Sequence, residues 1–140
     1  MSCRTFRRYR CLLGLLLSLV ATGCGSGRYP VTGQATYDDG SPVPGGTIIA
    51  EATVDEQPVS VQGNIEPDGT FELGADVPGD GALPGHYRAM VLPVALGDRE
   101  RAEGKQPTVP GKYGKFESSG ITFDVKPEAN VLNITIARQK

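Results

Sequence analysis

Val31-Thr32-Gly33-Gln34-Ala35-Thr36-Tyr37 runs directly into Asp38-Asp39-Gly40-Ser41. Val31, Ala35 and Tyr37 fall on one face of an extended chain, and Thr32, Gln34 and Thr36 on the other. This two-residue alternation is the mark of a half-buried strand. Asp-Gly then supplies a turn, because both residues tolerate backbone conformations that most side chains resist. Moving outward, the same grammar repeats. Thr47 to Val54 predicts a second strand with Ile48, Ala50, Ala52 and Val54 in phase. Val59 to Ile65 predicts a third, and Pro67-Asp68-Gly69 turns it into Thr70-Phe71-Glu72-Leu73 as a hairpin.

After a Gly/Pro loop over 74–85, His86 to Pro93 predicts a fifth strand with Tyr87, Ala89 and Val91 inward. Ile121 to Lys126 alternates cleanly, and Val131 to Ile136 points Leu132, Ile134 and Ile136 to the core. From Arg28 onward no window carries apolar residues at i, i+3, i+4 and i+7 over three turns, so no helix is expected. Seven short strands with turn residues between them predict an all-β, seven-stranded, Ig-like β-sandwich.

The segment ahead of this pattern has a different composition. Arg4, Arg7, Arg8 and Arg10 precede the uncharged run Cys11-Leu12-Leu13-Gly14-Leu15-Leu16-Leu17-Ser18-Leu19-Val20-Ala21. Eleven helical residues reach roughly 16 Å, about half a bilayer core. A basic stretch, a short apolar run and small residues together read as an export signal. Ala21-Thr22-Gly23-Cys24 resembles a bacterial lipobox, in which cleavage between Gly23 and Cys24 exposes a cysteine that is thioether-linked to diacylglycerol; Ala21 stands where that pattern usually has Leu. The reading therefore divides the chain into a signal peptide at 1–23, a flexible tether at 24–29 and a sandwich at 30–140. Cys3 and Cys11 would leave with the signal, and a lipidated Cys24 accounts for the one thiol left in an exported protein. The membrane is then a partner through Cys24, at the envelope of a bacterium.

Charge and composition narrow the function. Four of the 14 basic residues lie in the first ten positions, which leaves 10 basic against 16 acidic residues from Cys24 onward. Such a domain lacks the basic footprint of a nucleic-acid binder. One histidine, His86, gives no ligand set for zinc or haem, so no cofactor and no metal are expected. Asp38, Asp39, Asp68, Asp76 and Asp80 read as turn residues rather than calcium ligands, since no loop has the alternating acidic spacing of a calcium site. His86 reads as a surface or hydrogen-bonded structural residue, because no Gly-x-Ser-x-Gly elbow accompanies it. Asn133-Ile134-Thr135 matches a glycosylation sequon inside a predicted strand.

The ordered turns resemble those of a carboxypeptidase regulatory-like domain of the bacterial lipoprotein type. The stretches that carry the resemblance are Val31 to Gly40, Pro42 to Ile48, Asp68-Gly69-Thr70-Phe71, Pro84-Gly85-His86-Tyr87-Arg88, Pro110-Gly111-Lys112-Tyr113, Ser119-Gly120-Ile121-Thr122 and Asn130 to Ile136. The resemblance implies a transthyretin-like sandwich and implies no activity. The 5-hydroxyisourate hydrolases of that fold use several His and Arg residues and a C-terminal Tyr-Arg-Gly-Ser, whereas this chain ends Ile136-Ala137-Arg138-Gln139-Lys140.

One region breaks the strand rhythm. Residues 94–120 are a long loop of the kind that often carries binding residues. Within it Lys112, Tyr113, Lys115 and Phe116 form the candidate contact set, suited to an envelope protein or a glycan. The competing expectation is that Tyr113 folds back and plugs the sandwich edge. The leading functional expectation is a non-enzymatic, membrane-anchored envelope lipoprotein; the alternative is an exported small-ligand or glycan-binding module that uses this loop.

Overall fold

The computed structural model describes residues 27–138, so the signal, Gly23 and Cys24 lie outside the described residues. Seven strands follow one another: β1 (Val31–Tyr37), β2 (Gly46–Val54), β3 (Gln57–Ile65), β4 (Thr70–Leu73), β5 (Gly85–Leu92), β6 (Ile121–Val125) and β7 (Asn130–Ile136). They form two sheets, β4-β1-β7 and β3-β2-β5-β6. β1 runs parallel to β7, and every other pair is antiparallel. The all-β sandwich is thus the fold.

The inward faces are those expected from the alternation. Val31, Ala35, Phe71, Leu73, Ile134 and Ile136 come from the smaller sheet; Ile48, Ala50, Val61, Ile65, Tyr87, Ala89, Val91 and Val125 come from the larger one, and all are buried. Each buried Val, Leu, Ile or Phe side chain contributes roughly 1.5–3 kcal/mol relative to exposure. At Gly33 the demand is for space. A Cβ there would stand 1.8 Å from the Leu132 carbonyl oxygen and 2.6 Å from the Phe71 ring. Only glycine lets the Phe71 ring lie across β1 at this point.

Most strand bounds match the sequence expectation to within one residue, and three features differ by more. β3 begins at Gln57, two residues before the expected Val59, because Asp55-Glu56 makes a two-residue hairpin with both residues at positive φ (49° and 63°). That turn lacks the Asn-Gly or Asp-Gly pair that announces it in sequence. The sandwich also takes hold before residue 30: Tyr29 and Ala82 exchange both backbone hydrogen bonds, at 2.8 and 3.0 Å, and Arg28 is ion-paired to Asp76 and Asp80. The flexible stretch expected over 24–29 therefore does not extend through those two residues.

The third difference is helical. The loop between β5 and β6 contains α1 (Asp98–Ala102), a 3₁₀ turn (Gly111–Gly114) and α2 (Phe116–Ser119). Elements of four or five residues cannot display an apolar repeat over three turns, so they leave no periodic signal in the sequence. They have a clear structural task. β6 pairs with β5 only from Gly85 to Ala89. Beyond that point α2 and the 3₁₀ turn lie against β5, and the Ser119 hydroxyl donates to the Ala89 carbonyl at 2.5 Å. The loop thereby covers a strand edge that would otherwise be open to pairing.

Candidate interaction surface

The four residues singled out in the 94–120 loop part company in the structure. Tyr113 is buried, 6 % exposed. Its hydroxyl accepts the Ala137 N–H at 2.9 Å, just past the end of β7, so its ring plugs the sandwich edge. Lys112 is exposed on the outside of that plug, its ammonium 4.6 Å from the Tyr113 ring centre. Lys115 is exposed, and Phe116 is half-buried beneath the Arg88 guanidinium at 5.3 Å. Val109 is fully buried and the Thr108 carbonyl accepts the Tyr37 hydroxyl at 2.7 Å, so the second half of the loop is fastened to the sandwich.

Phe116 joins a surface the sequence did not single out, the outward face of the larger sheet. Register places Ser60, Glu51, Arg88 and Thr122 in one row across β3, β2, β5 and β6. Arg88 holds Glu51, its Nε donating at 2.8 Å, and stacks on Phe116. One step along, His86 and Asp124 face each other with Nδ1 and a carboxylate oxygen 2.7 Å apart, both largely exposed. An open groove of about 560 Å³ lies on this face, lined by Glu51, Thr53, Pro58, Ser60, His86 and Arg88 among others. The face offers a guanidinium, an imidazole, carboxylates and hydroxyls in fixed rows, which is the chemistry of polar recognition.

The outward face of the smaller sheet is of another kind. A groove of about 720 Å³ is lined there by Thr32, Gln34, Asn64, Thr70, Glu72 and Asn133, with Glu66, Pro78 and Val131 at its sides. Its polar lining is hydroxyl, amide and carboxylate, without a lysine or arginine, and Phe71, Pro78 and Val131 add apolar surface. Alternation alone marked Thr32 and Gln34 as outward; what it lacked was the pairing of β4 and β7 to β1, which assembles the set. Asn133 of the sequon stands on this face.

The aspartates are turn staples. Asp39 accepts both the hydroxyl and the N–H of Ser41, and Asp68 does the same with Thr70. Those hydroxyl and backbone bonds, in that order, hold both carboxyls below the usual range. Asp80 is pushed up by burial, but the N–H groups of Ala75, Asp76 and Val77 and the Arg28 charge outweigh this and leave it lowered. Among the described residues no group of three His, Cys, Asp or Glu side chains is placed to hold a metal ion.

No protein-family model matches the chain, and no curated protein matches it. Among solved structures it is similar to (S)-allantoin synthase, with a TM-score of 0.50 and 15% identity over 81% of this chain and 42% of that one. The likeness spans less than half of that enzyme's length, and at such identity it is a likeness of fold, the packed β-sheets described above.

Proposed function

We propose that this chain is an exported envelope lipoprotein, anchored through Cys24, whose β-sandwich acts by binding rather than by catalysis. The observation that carries the reading is the spacing at the start of the fold. A basic segment, a short apolar run and Gly23-Cys24 precede a body that is already hydrogen-bonded at Tyr29. Diacylglycerol on Cys24 would supply the two acyl chains that stable anchoring takes. The resemblance to carboxypeptidase regulatory-like domains belongs to the same reading, since Asp68-Gly69 and Pro84-Gly85 stand at strand junctions. The two faces with their ordered polar rows supply surfaces for an envelope partner.

The test is the intact mass of the full chain made in a lipidating bacterium, beside Cys24→Ser. A mass that begins at Cys24 and includes acyl chains, absent in the variant, supports the reading. A lipid-free mass cut near Ala21 or Gly23 sinks it and makes the protein a soluble secreted domain.

A second reading, small-ligand or glycan recognition, is favoured by the groove on the smaller sheet. It falls within the ~300–1,000 Å³ range of ligand sites. Its amides, hydroxyls and carboxylates match a neutral polyhydroxyl ligand, and Tyr113, by its burial, is withdrawn from the site first expected in the 94–120 loop. Calorimetric titration with neutral oligosaccharides tests it; heat that is the same in the protein and in Gln34→Ala rules this groove out.

A further inference from the structure

The loop after β4 combines a rigid frame with an apolar tip. The Asp80 carboxylate accepts the N–H of Ala75 at 2.6 Å and of Asp76 at 3.2 Å, and the Asp80 N–H donates to the Val77 carbonyl at 3.2 Å. Gly79 makes the bend at φ 83°. The loop is folded so closely that a Cβ on Gly74 would stand 1.9 Å from the Val77 carbonyl oxygen. This frame holds Val77 outward, 59 % exposed, next to exposed Pro78. Exposing a valine on a rigid loop is unfavourable in water, and a surface that covers it would remove the penalty.

The position of the loop points to what covers it. Arg28 clamps it from both sides of Val77 and Pro78, at 2.6 Å to Asp76 and 2.8 Å to Asp80. The next backbone pairing, Tyr29 with Ala82, fixes the end of the loop to the same stretch of chain. Arg28 is four residues after Cys24, and four residues span at most roughly 14 Å. If Cys24 is lipidated, the loop clamped on Arg28 is held within one short tether of the headgroups.

We propose that the Asp76–Asp80 loop lies on the lipid bilayer that holds Cys24, with Val77 and Pro78 at headgroup level. This rests on the lipoprotein reading above. Arg28 offsets one of the two carboxylates, and Asp55 and Glu56 of the β2–β3 hairpin lie at the same end of the larger sheet as Gly85. Carboxylates outnumber cations at this end, so the contact made by Val77 and Pro78 suits a zwitterionic surface rather than a strongly anionic one.

The chain contains no Trp, so a single tryptophan reports its own surroundings. Val94 is a matched control: it is also exposed, at 53 %, and follows the opposite end of β5 from Gly85. Val77→Trp, Pro78→Trp and Val94→Trp are made in the full chain, lipidated, checked by intact mass and reconstituted into phosphatidylcholine vesicles with or without bromine near the head of the acyl chains. The expected result is about a twofold loss of emission at positions 77 and 78 and none at 94, as for an aromatic ring placed at the interface. An acylated, vesicle-bound chain with no quenching at 77 and 78, or with quenching at 94 instead, overturns the proposal and leaves the lipoprotein reading intact. A mass without acyl chains overturns both.

Discussion

At the scale of single residues, two positions show how local chemistry sets stability. Glu56 sits at φ 63° in the β2–β3 hairpin, a left-handed conformation that costs an ordinary residue about 1–2 kcal/mol and glycine little. Glu56→Gly converts the turn to the favoured Asp-Gly pair and is expected to raise stability by about 1 kcal/mol, read as a higher urea midpoint. A lower midpoint would show that the Glu56 side chain contributes more than its backbone costs. Asp80 makes the pH prediction. Its carboxyl is held below its ordinary value when folded, so the folded state binds the proton more weakly than the unfolded chain does. Its contribution is complete above the unfolded pKa of about 3.9 and is lost as pH falls through the lower folded value. Asp80→Asn is expected to lower the melting temperature by a constant amount at neutral pH, and the gap to the parent protein is expected to close below about pH 4. A gap that persists in acid would mean that shape and hydrogen bonding, not charge, explain the residue.

At the scale of elements, the strands were legible and the helical turns were not. Alternation placed Ala35, Ile48, Ala50, Phe71, Leu73, Tyr87, Val91, Ile134 and Ile136 on the buried side, and each is buried. It worked because each strand packs one face only. It failed in the 94–120 loop, where the 3₁₀ turn and α2 are fixed by contacts with β5 and with the chain just after β7 that no local pattern encodes, and where α1 is too short to show a period. The candidate contact set divides for the same reason, since lysines and aromatics on a loop look alike in sequence whether they point out or in. Tyr113→Ala removes a buried ring and its bond to Ala137, and is expected to cost about 3–5 kcal/mol. Phe116→Ala removes a half-buried ring under Arg88 and is expected to cost about 1 kcal/mol. Urea denaturation of the two variants distinguishes them; equal losses would contradict the plug described for Tyr113. Ser119→Ala leaves the Ala89 carbonyl without its partner and is expected to cost about 1–3 kcal/mol in the same assay.

At the scale of the whole molecule, the issue is whether the long loop belongs to the sandwich or hangs from it. Its ties reach both sheets. Thr108 accepts the Tyr37 hydroxyl at the end of β1, Tyr113 accepts the Ala137 N–H after β7, and Ser119 donates to Ala89 on β5. The β4–β5 loop is likewise tied to the body, through Arg28 and Tyr29, and the described residues contain no cysteine to hold a subdomain together by a disulfide. A loop tied to three strands in two sheets cannot detach without exposing Val109 and opening the β5 edge. The body is therefore expected to unfold in one cooperative step, as small domains do. Tyrosine emission is a direct probe, because Tyr37, Tyr87 and Tyr113 are all buried and no Trp masks them. In urea, the tyrosine transition and the far-ultraviolet circular dichroism transition of the sandwich are expected to coincide, in the parent protein and in Phe116→Ala alike. In Tyr113→Ala the midpoint falls while the two probes stay together. Separated transitions in the parent protein would mean that the loop opens independently, and its bond pattern would then describe a latch rather than a part of the fold.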